Sequence, residues 1–383
     1  GWMFYYDREH WTPENVKAYL QAVPQGKVVI LDYYLEHTPV WTLTDKFYGQ
    51  PYILCYLGNF GGNVRLAGNF HQASERIDDA IANGGDNMCG IGSTLEGFGI
   101  NQFMYEFVLD KAWSSGISDE DWVRTLASRR TGRVDPHAEN VWKTLTDSIY
   151  IAGSFSSQTP LTCARPCLEG YWSWTSIHNT RYDNATLIRA WKELLEVPSD
   201  RDTHYSDVVN HGTQALGNHF AVLRDQFTAA YRASDLEAAR SVADQMLQLL
   251  DDLDALAACD PQLSLKRWLD DASAWGRTPE ESAYYRRNAR TIITVWGDSK
   301  TLLDYATRLW SGLVKSYCAP RWEMYIAEIL SCIEDGREYD QTAFFERLTE
   351  FEKSWAVSDD PIVYNEPVCP VAFSRELISR YGL

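Results

Sequence analysis

Apolar positions along the chain follow two regimes, and the change falls near residue 118. Before it, short β-branched or glycine-rich runs alternate with helical spacing; after it, helical spacing dominates. Thr12 and Pro13 form a cap and a first-turn proline, followed by Val16, Tyr19, Leu20 and Val23 on one helical face. Residues 27–32 read as a strand buried on both faces, and residues 51–57 as a second, closed by a turn through Asn59-Phe-Gly-Gly-Asn63. Residues 71–83 predict a helical connection. A third strand, crowded by glycines and small residues from Asn87, ends at Glu96. Gly97 and Gly99 follow, then a helical run through Met104 and Phe107.

Beyond the change, residues 118–130 open with a serine cap and three acids and close on two arginines before Gly132, matching the helix dipole at both ends. Residues 136–150 predict a helix with Val141, Trp142 and Leu145 inward. Residues 151–183 show no period and read as a long ordered loop of the kind that carries function. Helices then follow over 184–196, 205–232, 235–256, 262–275, 279–295, 302–317, 320–335, 341–354 and 371–381. The expectation is a multidomain, mainly α chain, an α/β piece with parallel strands followed by a large all-α domain. Three strands are too few to close a barrel. Either the sheet is open or earlier strands precede the sequence, and the abrupt start without Met favours the second.

Composition narrows the function classes. Fifteen Trp and twenty-two Tyr exceed ordinary packing needs and suit stacking on the apolar faces of sugar rings. A net charge of −18 opposes binding to nucleic acid or anionic membrane and gives no general attraction for sulfated polysaccharides. No apolar run is long enough to span a membrane, and the first residues do not resemble a signal peptide. Of eight Cys, only Cys163 and Cys167 are close, and a bridge between them is left open. Cys55 and Cys89 lie in apolar runs and read as buried thiols. No second Cys pair or ligand-spaced His supports zinc. His204, His211 and His219 share a helical face but are too far apart for one ion, so no metal is expected.

Glu96 stands at the C-terminal end of a parallel strand, where barrel enzymes place catalytic groups. Asp32 ends a neighbouring strand. It is either a second carboxylate for glycoside hydrolysis or, the preferred reading, a buried group that binds loop amides. The 59–63 turn lacks a phosphate-loop ending, and its asparagines offer amide hydrogen bonds to a ligand or to the loop itself. Near 296–305 a helix ends at Gly297 and another is expected from Thr301, with Asp304 as its reciprocal cap partner. Trp296 and Tyr305 project from this turn, towards either a ligand or the core.

Taken in order, Val29-Ile-Leu-Asp32, Gly49-Gln-Pro51, Asn59-Phe-Gly-Gly-Asn63, Glu96-Gly97 with Asn101, Arg129-Arg130, Trp296-Gly297 with Leu303-Asp-Tyr-Ala306, and Pro320-Arg-Trp322 carry a resemblance. Almost end to end, the chain resembles the C-terminal part of the α-N-acetylglucosaminidases of glycoside hydrolase family 89. That resemblance implies the incomplete C-terminal portion of a (β/α)8 barrel over residues 1–112. An all-α domain over 113–383 would complete the active-site pocket. It implies Glu96 as catalytic nucleophile and Trp2, Tyr33, Trp296, Leu302 and Tyr305 as substrate-binding residues. The reaction implied is retaining removal of terminal α-linked N-acetylglucosamine from glycans, without metal or organic cofactor. The family's general acid/base glutamate falls upstream of residue 1, so this piece alone is expected to be inactive. Tyr33 and Gly58 depart from some relatives. The family location is extracytoplasmic, secreted or periplasmic in bacteria and lysosomal in animals. The rival reading is a non-catalytic N-acetylglucosamine-binding or scaffold protein on the same fold.

Overall fold

The computed structural model describes residues 2–58, 60–62, 66–97, 102–114, 116–152, 161–178, 180–297 and 302–383, without the side chains of Trp2, Tyr5 and Ser176. Asn59, Asn63, Asn101, Thr301 and the Trp2 side chain, all named above, lie outside the described residues.

Helix α1 (Trp2–Tyr6) and α2 (Pro13–Gln21) precede β1 (Ile30–Asp32). The Thr12 side chain caps α2 by accepting from the Asn15 amide at 3.3 Å. Then come β2 (Tyr52–Tyr56), β3 (Gly68–Asn69), α3 (Phe70–Asn83), β4 (Met88–Ser93) and α4 (Gln102–Lys111). Strands β1, β2 and β4 form a parallel sheet with β2 in the middle. Ile30 pairs with Tyr52 on one side, and Tyr56 with Ser93 on the other. The register therefore brings the ends of all three strands to one edge, where Tyr33, Leu57 and Thr94 begin the loops.

Only β2 has the burial expected of every strand. Leu31 of β1 is 48% exposed, β4 is half-buried, and Cys89 is exposed although Cys55 is buried. Apolar runs signal burial on both faces only where neighbours exist on both sides. In the described sheet β1 and β4 are its edges.

Two buried carboxylates brace the loops at the strand ends. Asp32 accepts from the amides of Val40 and Trp41 at 3.0 and 2.9 Å, the clamp role preferred for it over chemistry. Glu36 accepts from Leu57 and Gly58 at 3.1 and 2.6 Å. Burial outweighs these hydrogen bonds and pushes Asp32 up to about 6 and Glu36 up to about 7.

The helical part starts with α5 (Asp119–Thr131) and α6 (Pro136–Ser148), capped by Ser118 and Asp135. Strand β5 (Ile151–Ala152) pairs antiparallel with β3. Then follow α7 (Asn184–Leu194), the long α8 (Asp202–Arg232), α9 (Leu236–Ala257), α10 (Leu265–Ser273) and α11 (Pro279–Ile292). Helices α12 (Ala319–Asp335), α13 (Gln341–Val357) and α14 (Pro370–Tyr381) complete it. One apolar cluster runs from Phe4 through both parts to Leu377. Buried Arg130 of α5 joins the parts, bonding Asp207 of α8 at 2.6 Å through Nε and facing Glu106 of α4 at 3.4 Å.

The helix expected over 302–317 is not formed. Residues 302–313 run as buried irregular chain into a π-helical turn, Val314–Cys318, that leads into α12. Tertiary bonds replace the helical ladder. The Asp304 amide donates to the Thr294 carbonyl at 3.0 Å, and Ser311 and Leu265 exchange bonds with Leu263 and Ser311. Asp304 is left-handed at φ 62° and serves buried arginines, with no part in a helix cap.

Glu36 generates a pH prediction. Its folded value lies above its unfolded one, so its contribution to stability is complete below about 4.5 and is lost as pH rises through about 7. Relative to Glu36→Gln, the wild-type chain should therefore hold a larger melting-temperature advantage at pH 5 than at pH 8. Thermal unfolding of both across that range checks it; an advantage that stays level or grows with pH would contradict it.

Candidate active site

Glu96 lies just past β4, at the edge of the sheet that β4 shares with β1 and β2. The strand ends around it are tied together. Thr94 donates through its hydroxyl to the Tyr33 carbonyl at 3.1 Å and through its amide to the Tyr56 carbonyl at 3.0 Å. The exposed Glu96 carboxylate is held through one oxygen. Its Oε2 accepts from the Gly61 amide at 2.6 Å and from the Tyr305 hydroxyl at 2.5 Å. One donor belongs to the loop after β2, the other to the turn after α11. Burial, followed by the bond to Glu96, raises the Tyr305 phenol well above its ordinary value, so it stays protonated and donates.

The approach of these two segments depends on Gly61. Its φ is +63°, and an added Cβ would stand 2.0 Å from the Tyr305 carbonyl oxygen. Any side chain there would drive the loop from the turn. On the turn, Trp296 is left-handed at φ 51°, uncommon for a non-glycine residue, and Gly297 follows at 74°. The Trp296 amide donates to the Thr291 carbonyl at 2.8 Å, and its indole meets the Tyr305 ring edge-on at 5.2 Å. Such strain costs about 1–3 kcal/mol and persists only where the surroundings impose it.

Those surroundings are a buried charge network. Arg321 bonds both Asp304 oxygens at 2.9 and 3.0 Å and reaches Glu352 at 3.0 Å. Arg165 bonds the same Glu352 oxygen, Oε1, through Nε at 3.1 Å and also meets Oε2, and its amide donates to Asp304 at 3.0 Å. Thr175 donates to the Leu303 carbonyl at 2.7 Å, which brings Trp174 to 5.8 Å from the Tyr305 ring.

Together these elements wall a cavity of about 1380 Å³. Sequence-expected Glu96, Tyr33, Trp296, Leu302 and Tyr305 all line it; the Trp2 side chain lies outside the described residues. Asp32 does not line it. Trp174, Trp268 and Arg308 line it and were not foreseen. Trp174 falls in the aperiodic 151–183 loop, whose length is the only signal, and Arg308 falls in a stretch with helical spacing. Cys163 and Cys167 are not bridged to each other, and each thiol donates to a carbonyl, at 3.5 and 3.6 Å. Among the described residues no cluster suits a metal ion; His204 and His211 are buried in α8, and His211 Nδ1 donates to the Asp207 carbonyl at 2.5 Å. No described helix is long and apolar enough to cross a membrane.

The described residues thus place one carboxylate just past a parallel strand, held by two donors beside an aromatic wall. Residues 122–380 match the family described as Alpha-N-acetylglucosaminidase (NAGLU) C-terminal domain. The chain belongs to this family. Residues 1–115 match the Alpha-N-acetylglucosaminidase (NAGLU) tim-barrel domain. Human Alpha-N-acetylglucosaminidase is 29% identical over 368 residues, which are 94% of this chain and 49% of that protein. The chain thus spans about half the length of the curated relative it matches.

Solved structures of a family 89 glycoside hydrolase from Clostridium perfringens, one with PUGNAc and one with 2-acetamido-1,2-dideoxynojirmycin, superpose with a TM-score of 0.86 at 23% identity. They cover 97% of this chain and 44% of theirs. A doubly substituted form in complex with its substrate GlcNAc-alpha-1,4-galactose gives 0.83 at 23% identity, over 93% of this chain and 42% of its own. At this identity they establish the fold: part of a TIM barrel followed by the helical C-terminal domain.

The Gly61 contact is testable by stability. Ala at Gly297, whose added Cβ meets nothing within 4 Å, should cost only the left-handed strain, about 1–2 kcal/mol. Gly61→Ala carries the same strain and the clash, so urea unfolding should show at least about twice that loss. Equal losses would mean that the loop and the turn do not meet through Gly61.

Proposed function

We propose that this chain carries the nucleophile of a retaining glycoside hydrolase, and that the whole protein removes terminal α-linked N-acetylglucosamine from glycans. The observation that carries this reading is Glu96 Oε2, held by the Gly61 amide and the Tyr305 hydroxyl on the wall of an aromatic cavity. Membership of a family named for that activity, and the bacterial relative in complex with GlcNAc-alpha-1,4-galactose, support it. Residues 1–112 are then closing units of the barrel, and 113–383 the helical domain that completes the pocket. A location outside the cytoplasm rests on the family resemblance alone.

The geometry suggests a division of labour. Oε2 is occupied by two donors, while Oε1 receives no hydrogen bond among the described residues and is the oxygen available to form a bond. Oε1 attacks the anomeric carbon as the bond to the leaving oxygen breaks, and a second carboxyl group protonates that oxygen. Water activated by the same second group then releases the sugar with its configuration retained. That partner, about 5–5.5 Å from the nucleophile in such enzymes, comes on this reading from the part of the protein that precedes these residues. Tyr33, Trp296, Leu302 and Tyr305 offer apolar faces to the sugar ring, and Trp2 joins them by resemblance. Two carboxyl groups suffice for the chemistry, which needs neither metal nor organic cofactor.

The test is hydrolysis of an aryl α-N-acetylglucosaminide by the full-length gene product. Glu96→Gln should lower kcat/KM by several orders of magnitude. Tyr305→Phe removes one hydrogen bond to a charged group and should lower it about 10- to 100-fold. Activity surviving in Glu96→Gln would overturn the assignment. A full-length protein that binds N-acetylglucosamine and cleaves nothing would favour a non-catalytic binding protein.

A further inference from the structure

Two cationic side chains line the cavity among the described residues. Arg267 of α10 is exposed and bonds Gln262 Oε1 at 2.8 Å. Arg308 is only 6% exposed, and no carboxylate lies within 4 Å of its guanidinium among the described residues. Buried Arg130, Arg165 and Arg321 each face a carboxylate directly. Arg290, which also lacks one, spreads its charge over the carbonyls of Trp355, Ser358 and Asp360, away from the cavity. Among the described residues the Arg308 guanidinium meets the carbonyls of Ala306 and Thr307 in its own turn, at 2.5 and 3.2 Å, and the ring of Trp310 at 5.6 Å.

An unpaired buried guanidinium is expensive and adds nothing to folding that an apolar side chain would not. Its place is informative. Arg308 follows Tyr305 by three residues on the turn that delivers the Tyr305 hydroxyl to Glu96, and all three residues line the one cavity. Burial pulls Arg308 down to about 9, and the charge of Glu96 is what opposes that pull. Among the described residues, the ionisable side chains on this wall besides Glu96 are Tyr6, Tyr33, Tyr305, Arg308, Arg267 and Asp271. Arg267 and Asp271 are 3.8 Å apart and exposed on α10, so Arg308 is the uncompensated charge.

We propose that Arg308 is a positioning residue that acts through Glu96: its buried positive charge, on the same cavity wall, favours the carboxylate form that attacks and stabilises the charge Glu96 regains when the glycosyl bond breaks. The inference rests on the reading of Glu96 as nucleophile. An opposite charge on the same wall favours a carboxylate's ionised form. The effect should strengthen as bound substrate excludes water.

The experiment uses the full-length product, its Arg308→Met and Arg308→Lys variants and Glu96→Gln, with kcat/KM for an aryl α-N-acetylglucosaminide measured against pH. Arg308→Met should move the acidic limb of the profile towards neutral by about one pH unit and lower the maximum about 10- to 100-fold. Arg308→Lys should restore most of the limb's position. Thermal unfolding of Arg308→Met should show a melting temperature equal to or above the wild type, since a buried charge is replaced by an apolar chain. An acidic limb that does not move, or Lys and Met variants with the same profile, would overturn the proposal. If Arg308→Met is destabilised, the Lys variant decides: a limb at the wild-type position with activity restored supports the electrostatic role, and a displaced limb refutes it. A wild type that cleaves nothing, or an active Glu96→Gln, removes the reading of Glu96 and this inference with it. A wild type silenced only by Glu96→Gln, with Arg308→Met unchanged, removes the inference alone.

Discussion

Four buried charges hold the one turn on which the cavity depends. Arg321 bonds Asp304 and Glu352, Arg165 bonds Glu352, and the Arg165 amide closes on Asp304. These residues come from distant parts of the chain: the loop after β5, the turn after α11, α12 and α13. Burial pushes Asp304 up to about 6, with Arg321 working against it. Breaking such a network from one side strands a charge and costs about 3–5 kcal/mol. Its worth here is geometric. With Asp304 fixed at φ 62°, the next residue, Tyr305, reaches Glu96 from the helical side of the cavity.

The sheet supplies the other half of the same corner. Asp32 and Glu36 spend their oxygens on loop amides and so fix where each strand ends. Gly61 lets the loop after β2 come against the turn with no side chain between. Arg130 fastens α5 to α8 and faces α4, keeping the helical part in register with the helix that follows Glu96. Glu96 is thus bonded to both parts through one oxygen, and a disturbance in either part reaches that oxygen through a single hydrogen bond.

Features set by neighbours in sequence were legible. The Thr12 and Ser118 caps, the Gly132 stop and the inward face of α6 stand where the local pattern placed them, because capping and amphipathicity are local. Glu96 was legible as a strand-end carboxylate, and Asp32 as a clamp. What sequence pattern missed was set by partners far along the chain. Residues 302–313 have helical spacing, yet Arg321 and Thr294 claim Asp304 first. Leu31 and Cys89 sit in apolar runs but on edge strands. Arg308 and Trp174 became cavity residues only through the fold of the turn and the loop beside it.

The central claim is that Glu96 forms the bond to the sugar. The most direct measurement is mass spectrometry of the full-length protein after reaction with a 5-fluorinated α-N-acetylglucosaminyl fluoride, which slows release of a covalent intermediate. A single glycosyl adduct on the peptide carrying Glu96 is the predicted result. An adduct on another carboxylate, or turnover of the natural linkage with no adduct and inverted product, would contradict the account.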